Sequence, residues 1–350
     1  MYGNKFKYFI PQNIAPKNAQ RIIVSDSDGQ TVGGIMLGKL KQPSIKKLYS
    51  FCAISDVHIG YDTSDTDFQR ALTFVDNSDC LFTCICGDLT ASGNDTQLTQ
   101  YKSIIDAYAT KPVYAVCGNH ESIWGNMTTE RIQPYTGKPF YYSFVQGNDV
   151  FIMLGHYGAY HDGNDGWREA EYFTTDELQF LYNTLESNRN KRCFVFYHIF
   201  PLGGSGNACG YHMGSTSSSK WTQTVTTVFE KLMKHYKNVV LFHGHSHLRL
   251  HLQSEDDRAN YVDDVGYRSI HIPSISVPRD RTDSGISHIY AESEGYIVDV
   301  YDNYIILNGR DFIDNDNDGN IIPIGTYKID TPLVTVEAGT FVDSTGTITT

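Results

Sequence analysis

Five short apolar runs, each ending in histidine, aspartate or asparagine, constrain this chain more than any other feature. Residues 48–54 lead into Asp56-Val57-His58, residues 80–86 into Gly87-Asp88, and residues 113–117 into Gly118-Asn119-His120-Glu121. Residues 193–197 lead into His198, and residues 239–242 into His243-Gly244-His245-Ser246-His247. Together with 150–154, these runs have the length and composition of buried strands. Between them, about 65–75, 96–108, 174–185 and 220–235 read as helices. The last carries Trp221, Val225, Val228, Phe229, Leu232 and Met233 close to helical spacing. Thr174, followed by Asp176 and Glu177, has the form of a helix start. Strand–helix alternation predicts an α/β core with largely parallel strands. Polar groups at the carboxyl ends of such strands line the sheet edge where ligands bind.

The groups delivered there are His, Asp and Asn with no thiolate, a set that suits divalent transition metals. In Asp56-x-His58 and His245-x-His247, an extended backbone would send residues i and i+2 to the same side. Each pair then reaches one ion or two neighbouring ones. Glycines 87, 118 and 244 allow a sharp turn and a close backbone approach.

Charge narrows the ligand class. The 28 basic and 40 acidic side chains leave a net charge of -12. A chain of this sign does not hold a phosphate backbone by bulk electrostatics, which disfavours a nucleic-acid polymer as partner. A phosphate ligand needs a local source of positive charge.

The ordered set Asp-x-His, Gly-Asp, Gly-Asn-His-Glu, lone His and Gly-His-x-His resembles that of the calcineurin-like metallophosphoesterases, over about residues 46–310. The resemblance implies a four-layer α/β/β/α sandwich of two mixed sheets flanked by helices, with extra β elements at both ends. It also implies two divalent or di/trivalent ions (Mn, Fe or Zn), one held by Asp56, His58 and His247 and the other by Asn119, His198 and His245. Asp88 bridges them. A hydroxide between the ions would attack phosphorus in line while His120 assists the leaving oxygen. Glu121, or a carboxylate such as Asp62, would orient an imidazole. The substrate implied is a small phosphoester.

Departures bear on the subfamily. Purple acid phosphatases have a tyrosine ligand three residues after the motif aspartate, and Ala91 stands there in this chain. Protein Ser/Thr phosphatases read Gly-Asp-x-x-Asp-Arg-Gly, whereas this chain reads Gly87-Asp88-Leu89-Thr90-Ala91-Ser92-Gly93. The pattern is closer to the phosphodiesterase-type members. A phosphomonoesterase, a nuclease and a non-catalytic metal-binding structural or surface protein are the other readings. Substrate contacts are expected from residues 156–167 and 203–214, whose aromatics include Tyr157, Tyr160, Trp167 and Tyr211.

The ends read differently. Residues 22–37 have a hairpin pattern with Asp26-Ser27-Asp28-Gly29 as its turn, and 269–272, 295–300, 304–307 and 326–329 read as strands. The domain expectation is a hairpin extension over 1–45, a catalytic domain over 46–310, and C-terminal strands and tail over 311–350. The first half is expected to form one sheet, and the second half with the C-terminal strands the other. The terminal extensions are candidate attachment points to a larger assembly. Asp314-Asn315-Asp316-Asn317-Asp318-Gly319 opens like a calcium loop, but Gly325 stands where a bidentate Glu is needed, so a turn is the better reading. Seven cysteines, five of them in or beside apolar runs, read as free thiols. With no signal-peptide pattern, they favour the cytoplasm. No apolar run is long enough to predict a membrane span.

Overall fold

The computed structural model of the protein describes residues 21–25, 31–36, 46–124, 127–156, 160–161, 167–168, 173–199, 220–254, 259–282, 285–288, 292–313, 320–339 and 341. Two compact units are present, Met1–Lys46 and Lys47–Thr350. In the first, strand β1 (Arg21–Ser25) pairs antiparallel with β2 (Thr31–Met36), where the sequence pattern places a hairpin. Its expected turn residues lie outside the described residues.

The second unit opens with β3 (Tyr49–Ile54), α1 (Ser64–Asn77), β4 (Cys80–Cys86), α2 (Asp95–Tyr108) and β5 (Val113–Val116). A π-helical turn at His120–Trp124 precedes α3 (Thr129–Thr136), β6 (Tyr142–Gln146) and β7 (Asp149–Met153). Two-residue strands β8 (Tyr160–His161) and β9 (Trp167–Arg168) pair with each other. Next come α4 (Thr175–Ser187), β10 (Cys193–Phe196), α5 (Lys220–His235) and β11 (Val239–His243). A 3-10 turn at Leu250–Ser254 leads to β12 (Tyr261–Val262), β13 (Arg268–His271), and the hairpin of β14 (Arg279–Thr282) and β15 (Gly285–His288). The last strands are β16 (Glu294–Val300), β17 (Tyr304–Asp311) and β18 (Asn320–Asp330).

Helix starts follow local chemistry. Asn94 accepts the Gln97 amide at 3.0 Å ahead of α2, and Thr174 accepts the Glu177 amide at 3.1 Å ahead of α4. On α4, Leu178, Leu181, Tyr182 and Leu185 form one buried stripe.

The strands form two six-stranded mixed sheets, β12-β13-β11-β10-β7-β6 and β18-β17-β16-β3-β4-β5. The expected division between halves is therefore corrected. The C-terminal strands join the first-half sheet, because β16 pairs antiparallel with β3, Val298 opposite Phe51 and Tyr296 opposite Ala53. This pairing fills the edge of β3 that the parallel partner β4 leaves open. The other sheet is built from the middle of the chain.

Period-two alternation then makes four layers. On β10, Phe194 and Phe196 enter the core between the sheets, while Cys193 and Val195 face the α4–α5 side. On β3, Phe51 and Ala53 face the opposite sheet, and Cys52 and Ile54 pack towards α1 and α2. The inter-sheet core is aromatic: Phe51 meets Phe151 edge-on at 5.2 Å, and Phe196 stacks on Phe242 at 4.9 Å. Each buried phenylalanine contributes about 1.5–3 kcal/mol, so the strand ends emerge from a stiff sandwich. Cys52, Cys80, Cys84, Cys86, Cys117 and Cys193 are free and buried. Cys209 and the calcium-like run 314–319 lie outside the described residues. Among the described residues no helix is long and apolar enough to cross a membrane.

Candidate metal centre

The carboxyl ends of β3, β4 and β5 in one sheet and of β10 and β11 in the other converge on one buried point. Two groups of side chains there have their ligand atoms within 4.8 Å of one another: Asp56, His58, Asp88 and His247, and Asp88, His198 and His245. Asp88 belongs to both. Asn119 is buried on the β5 loop, next to His120, whose amide donates to Asp88 Oδ1 at 2.9 Å.

Each carboxylate is anchored by one oxygen and presents the other. Asp88 Oδ1 takes the His120 amide, and Asp56 Oδ2 takes the His245 amide at 3.1 Å. The remaining oxygens, Asp88 Oδ2 and Asp56 Oδ1, are buried without a hydrogen-bond partner. Asp88 Oδ2 lies 3.0 Å from His198 Nε2 and 3.7 Å from His58 Nε2. Asp56 Oδ1 lies 3.0 Å from His247 Nε2 and 3.8 Å from His58 Nε2 and His198 Nε2.

The imidazoles are turned for the same purpose. His198 Nδ1 donates to the Cys86 carbonyl at 2.6 Å, and His247 Nδ1 to the Val277 carbonyl at 3.0 Å. A carbonyl only accepts, so Nδ1 carries a proton in each ring and Nε2 is the nitrogen turned inward, where an ion would take its lone pair. Lone pairs and carboxylate oxygens facing one another at 3 Å are stable only around positive charge. This all-nitrogen-and-oxygen set fits transition-metal ions.

The two buried carboxylates call for positive charge at this point, which a proton on His198 supplies where no ion is bound. Burial opposes the ionisation of Asp56, but the His247 and His198 imidazoles outweigh it and hold the carboxyl well below the ordinary range. Asp88 behaves alike, burial being outweighed by His198 and His120. Burial lowers the His198 imidazole, yet Asp88 and Asp56 raise it to about 10. Burial pushes His58 well below the ordinary imidazole value, and burial, together with the Arg279 charge, lowers His247.

Backbone geometry departs from the extended arrangement expected for the i, i+2 pairs. Asp56 (φ 54°), His58 (49°), Asp88 (50°), His245 (73°) and His247 (60°) are the non-glycine residues with positive φ among the described residues. All five are expected ligands. Left-handed backbone costs of the order of 1–3 kcal/mol at each such residue, so convergence is bought by strain rather than by strand alternation. The glycines make room for the ligands. A Cβ at Gly118 would overlap the Asp88 carboxylate, and one at Gly244 would overlap the Ser55 hydroxyl and Asp56 Oδ2.

His120 stands beside this centre. Its Nδ1 donates to the Ala91 carbonyl at 2.7 Å, and its Nε2 is 3.8 Å from Asp88 Oδ2. Burial lowers its pKa, but Asp88 and the Ala91 carbonyl prevail and raise it. Glu121 takes a different place from the one expected. Its Oε1 accepts the Thr90 amide and hydroxyl, both at 2.8 Å, and its Oε2 accepts the Gly118 amide at 3.0 Å. It thus ties the β4 and β5 loops together instead of orienting an imidazole. Asp62 is exposed on the rim of an open cleft of about 240 Å³. His58, His120 and His247 line the same cleft, as do Tyr61 and Arg279.

Several participants have no signature in the sequence. Ser246, between the two motif histidines, hydrogen-bonds His271 Nε2 at 2.8 Å, and His271 Nδ1 faces Asn260 Oδ1 at 3.4 Å. His271 is buried behind the β11 loop. Ser274 and Ser276 both donate to the Asp56 carbonyl. His243 ends β11, with its Nε2 3.0 Å from Ser269 Oγ. Arg279 lies outside every motif and was not singled out in the sequence. The side chains of the two candidate substrate loops past His156 lie outside the described residues.

Residues 49–249 match the calcineurin-like phosphoesterase family, and the chain belongs to it. Its fold is similar to that of a dimetal phosphatase from Danio rerio, with a TM-score of 0.55 at 16% identity, covering 82% of this chain and 100% of that one. It is also similar to a purple acid phosphatase from yellow lupin (Lupinus luteus) seeds, with a TM-score of 0.49 at 14% identity, covering 81% of this chain and 53% of that one. No curated protein matches the chain. Family membership supports a metal-dependent phosphoester hydrolase.

Proposed function

We propose that the protein is a dinuclear-metal-dependent phosphodiesterase acting on a small phosphoester. The observation that carries this reading is Asp88: one carboxylate belongs to both ligand groups, with its free oxygen buried and turned inward. Asp56, His58 and His247 would hold one ion and Asn119, His198 and His245 the other, with Asp88 common to both. Bound there, two ions supply an activated water and offset phosphoryl charge.

The chain's own residues supply the rest. The Nδ1 proton of His120 is committed to the Ala91 carbonyl, so the transferable proton is the one on Nε2. Asp88 and the Ala91 carbonyl both favour the protonated ring, and a donor to a leaving oxygen needs that proton. Glu121 keeps the loops bearing Asp88 and His120 in register. The diester preference rests on Ala91, which replaces the tyrosine of purple acid phosphatases, and on the run Gly87–Gly93, which lacks the protein-phosphatase pattern.

The test is hydrolysis of bis-p-nitrophenyl phosphate and of p-nitrophenyl phosphate, with Mn²⁺ added and after chelation. Metal-dependent turnover with the diester preferred supports the proposal. Preference for the monoester makes the protein a phosphomonoesterase. Two bound ions with no turnover of either ester make it a non-catalytic metal-binding protein.

A further inference from the structure

Among the described residues, the guanidinium of one arginine beside the centre has no carboxylate partner. Arg279 opens β14 and lines the cleft together with His58, His120 and His247. Among the described residues no carboxylate lies within ion-pair distance of its guanidinium, and its Nε is buried without a hydrogen-bond partner. Its neighbour Arg249 provides the contrast. The Arg249 amide donates to the Arg279 carbonyl, yet the Arg249 guanidinium pairs with both Asp280 and Glu292. In a chain of net charge -12, a half-buried cation with no carboxylate beside it among the described residues is poised for an anion that arrives from solution.

The backbone fixes where this cation stands. The Val277 carbonyl accepts from His247 Nδ1 at 3.0 Å, and the Arg279 amide donates to the His247 carbonyl at 2.8 Å. The same three-residue segment therefore orients a ligand histidine and carries the arginine. Movement of one is coupled to movement of the other.

We propose that Arg279 grips an anionic oxygen of the phosphoester in the cleft, setting the substrate's position against the centre. A planar guanidinium offers two parallel N–H donors to one phosphoryl group, which a lysine ammonium cannot match. This proposal rests on the phosphoesterase reading and deepens it by naming a binding residue for the phosphoryl group.

The experiment uses the Mn²⁺-loaded full chain with Arg279→Met and Arg279→Lys. The readouts are metal content, calorimetric affinity for inorganic phosphate, and separate kcat and KM values for bis-p-nitrophenyl phosphate. With Arg279→Met, metal content stays unchanged, phosphate affinity falls about 10–100-fold, as for loss of a charged hydrogen-bond partner, and KM rises more than kcat falls. Arg279→Lys recovers part of the loss. Unchanged phosphate affinity and KM in Arg279→Met would overturn the proposal, as would a parent protein that binds no phosphate. A parent that turns over no ester but binds phosphate through Arg279 would overturn the hydrolase reading and leave this one standing.

Discussion

Asp88 Oδ2 lies 3.0 Å from His198 Nε2, and neither atom has a hydrogen-bond partner. Their second atoms explain why. The His120 amide holds Asp88 Oδ1, and the Cys86 carbonyl holds His198 Nδ1. Carboxylate and imidazole are each fixed from behind, so their remaining atoms face a shared point. Such preorganisation leaves buried polar atoms unsatisfied, a cost a bound cation removes.

His120 is the first residue to test. Replacing it with asparagine lowers kcat by about 10²–10⁴-fold for an ester with an alkoxide leaving group. The loss is smaller for a p-nitrophenyl ester, because p-nitrophenolate departs without a proton. The alkaline limb of the pH profile, along which His120 loses its proton, disappears in the variant. Equal losses on both esters, with the limb retained, would remove the proton-donor role.

Ser246 tests support from behind the ligands. Ser246→Ala leaves His271 Nε2 buried without its partner, costing roughly 1–3 kcal/mol of stability. Because Ser246 lies between His245 and His247, metal affinity also falls by about 10–100-fold. Calorimetric titration with Mn²⁺ and thermal melts of the chelated protein measure the two effects. A drop in stability with unchanged metal affinity would show that the chain to Asn260 supports the fold alone.

Glu294 predicts a pH dependence away from the centre. Its buried carboxyl accepts the Leu250 amide at 2.8 Å, and burial raises its pKa from 4.5 to about 8. Between these values the unfolded chain has lost a proton that the folded chain keeps. The group's contribution is therefore complete below about pH 4.5 and fades as pH rises towards 8, by roughly 1.4 kcal/mol per pH unit. Glu294→Gln retains the acceptor and removes the titration. Its melting temperature matches the parent's at pH 5 and exceeds it at pH 8. A difference independent of pH would refute this assignment.

Much of the architecture was legible because burial leaves a period in the sequence. The alternation on β10 and the apolar stripe on α4 are written in residue order, and the five motifs sit at strand ends where the structure places them. Sheet partnership was not legible. The pairing of β16 with β3 joins residues about 245 positions apart, and no local pattern records it. The residue types that gather at the strand ends were readable, but their geometry was not, because left-handed backbone at Asp56 and His58 has no side-chain signature. Glu121 was read as an imidazole-orienting carboxylate, whereas its partners are the Gly118 amide and the amide and hydroxyl of Thr90, which lies 31 positions away and out of reach of local pattern. Arg279 could be singled out only in three dimensions, where, among the described residues, carboxylates pair with Arg249 and none with Arg279.

The central claim is that a shared carboxylate organises two ions, and elemental analysis of purified parent and Asp88→Ala protein tests it most directly. The account predicts two equivalents of transition metal per chain in the parent and less than one in the variant, with both proteins folded by circular dichroism. A parent that stays free of metal after equilibration with excess Mn²⁺, Fe²⁺ and Zn²⁺, or a variant that retains both ions, would contradict it.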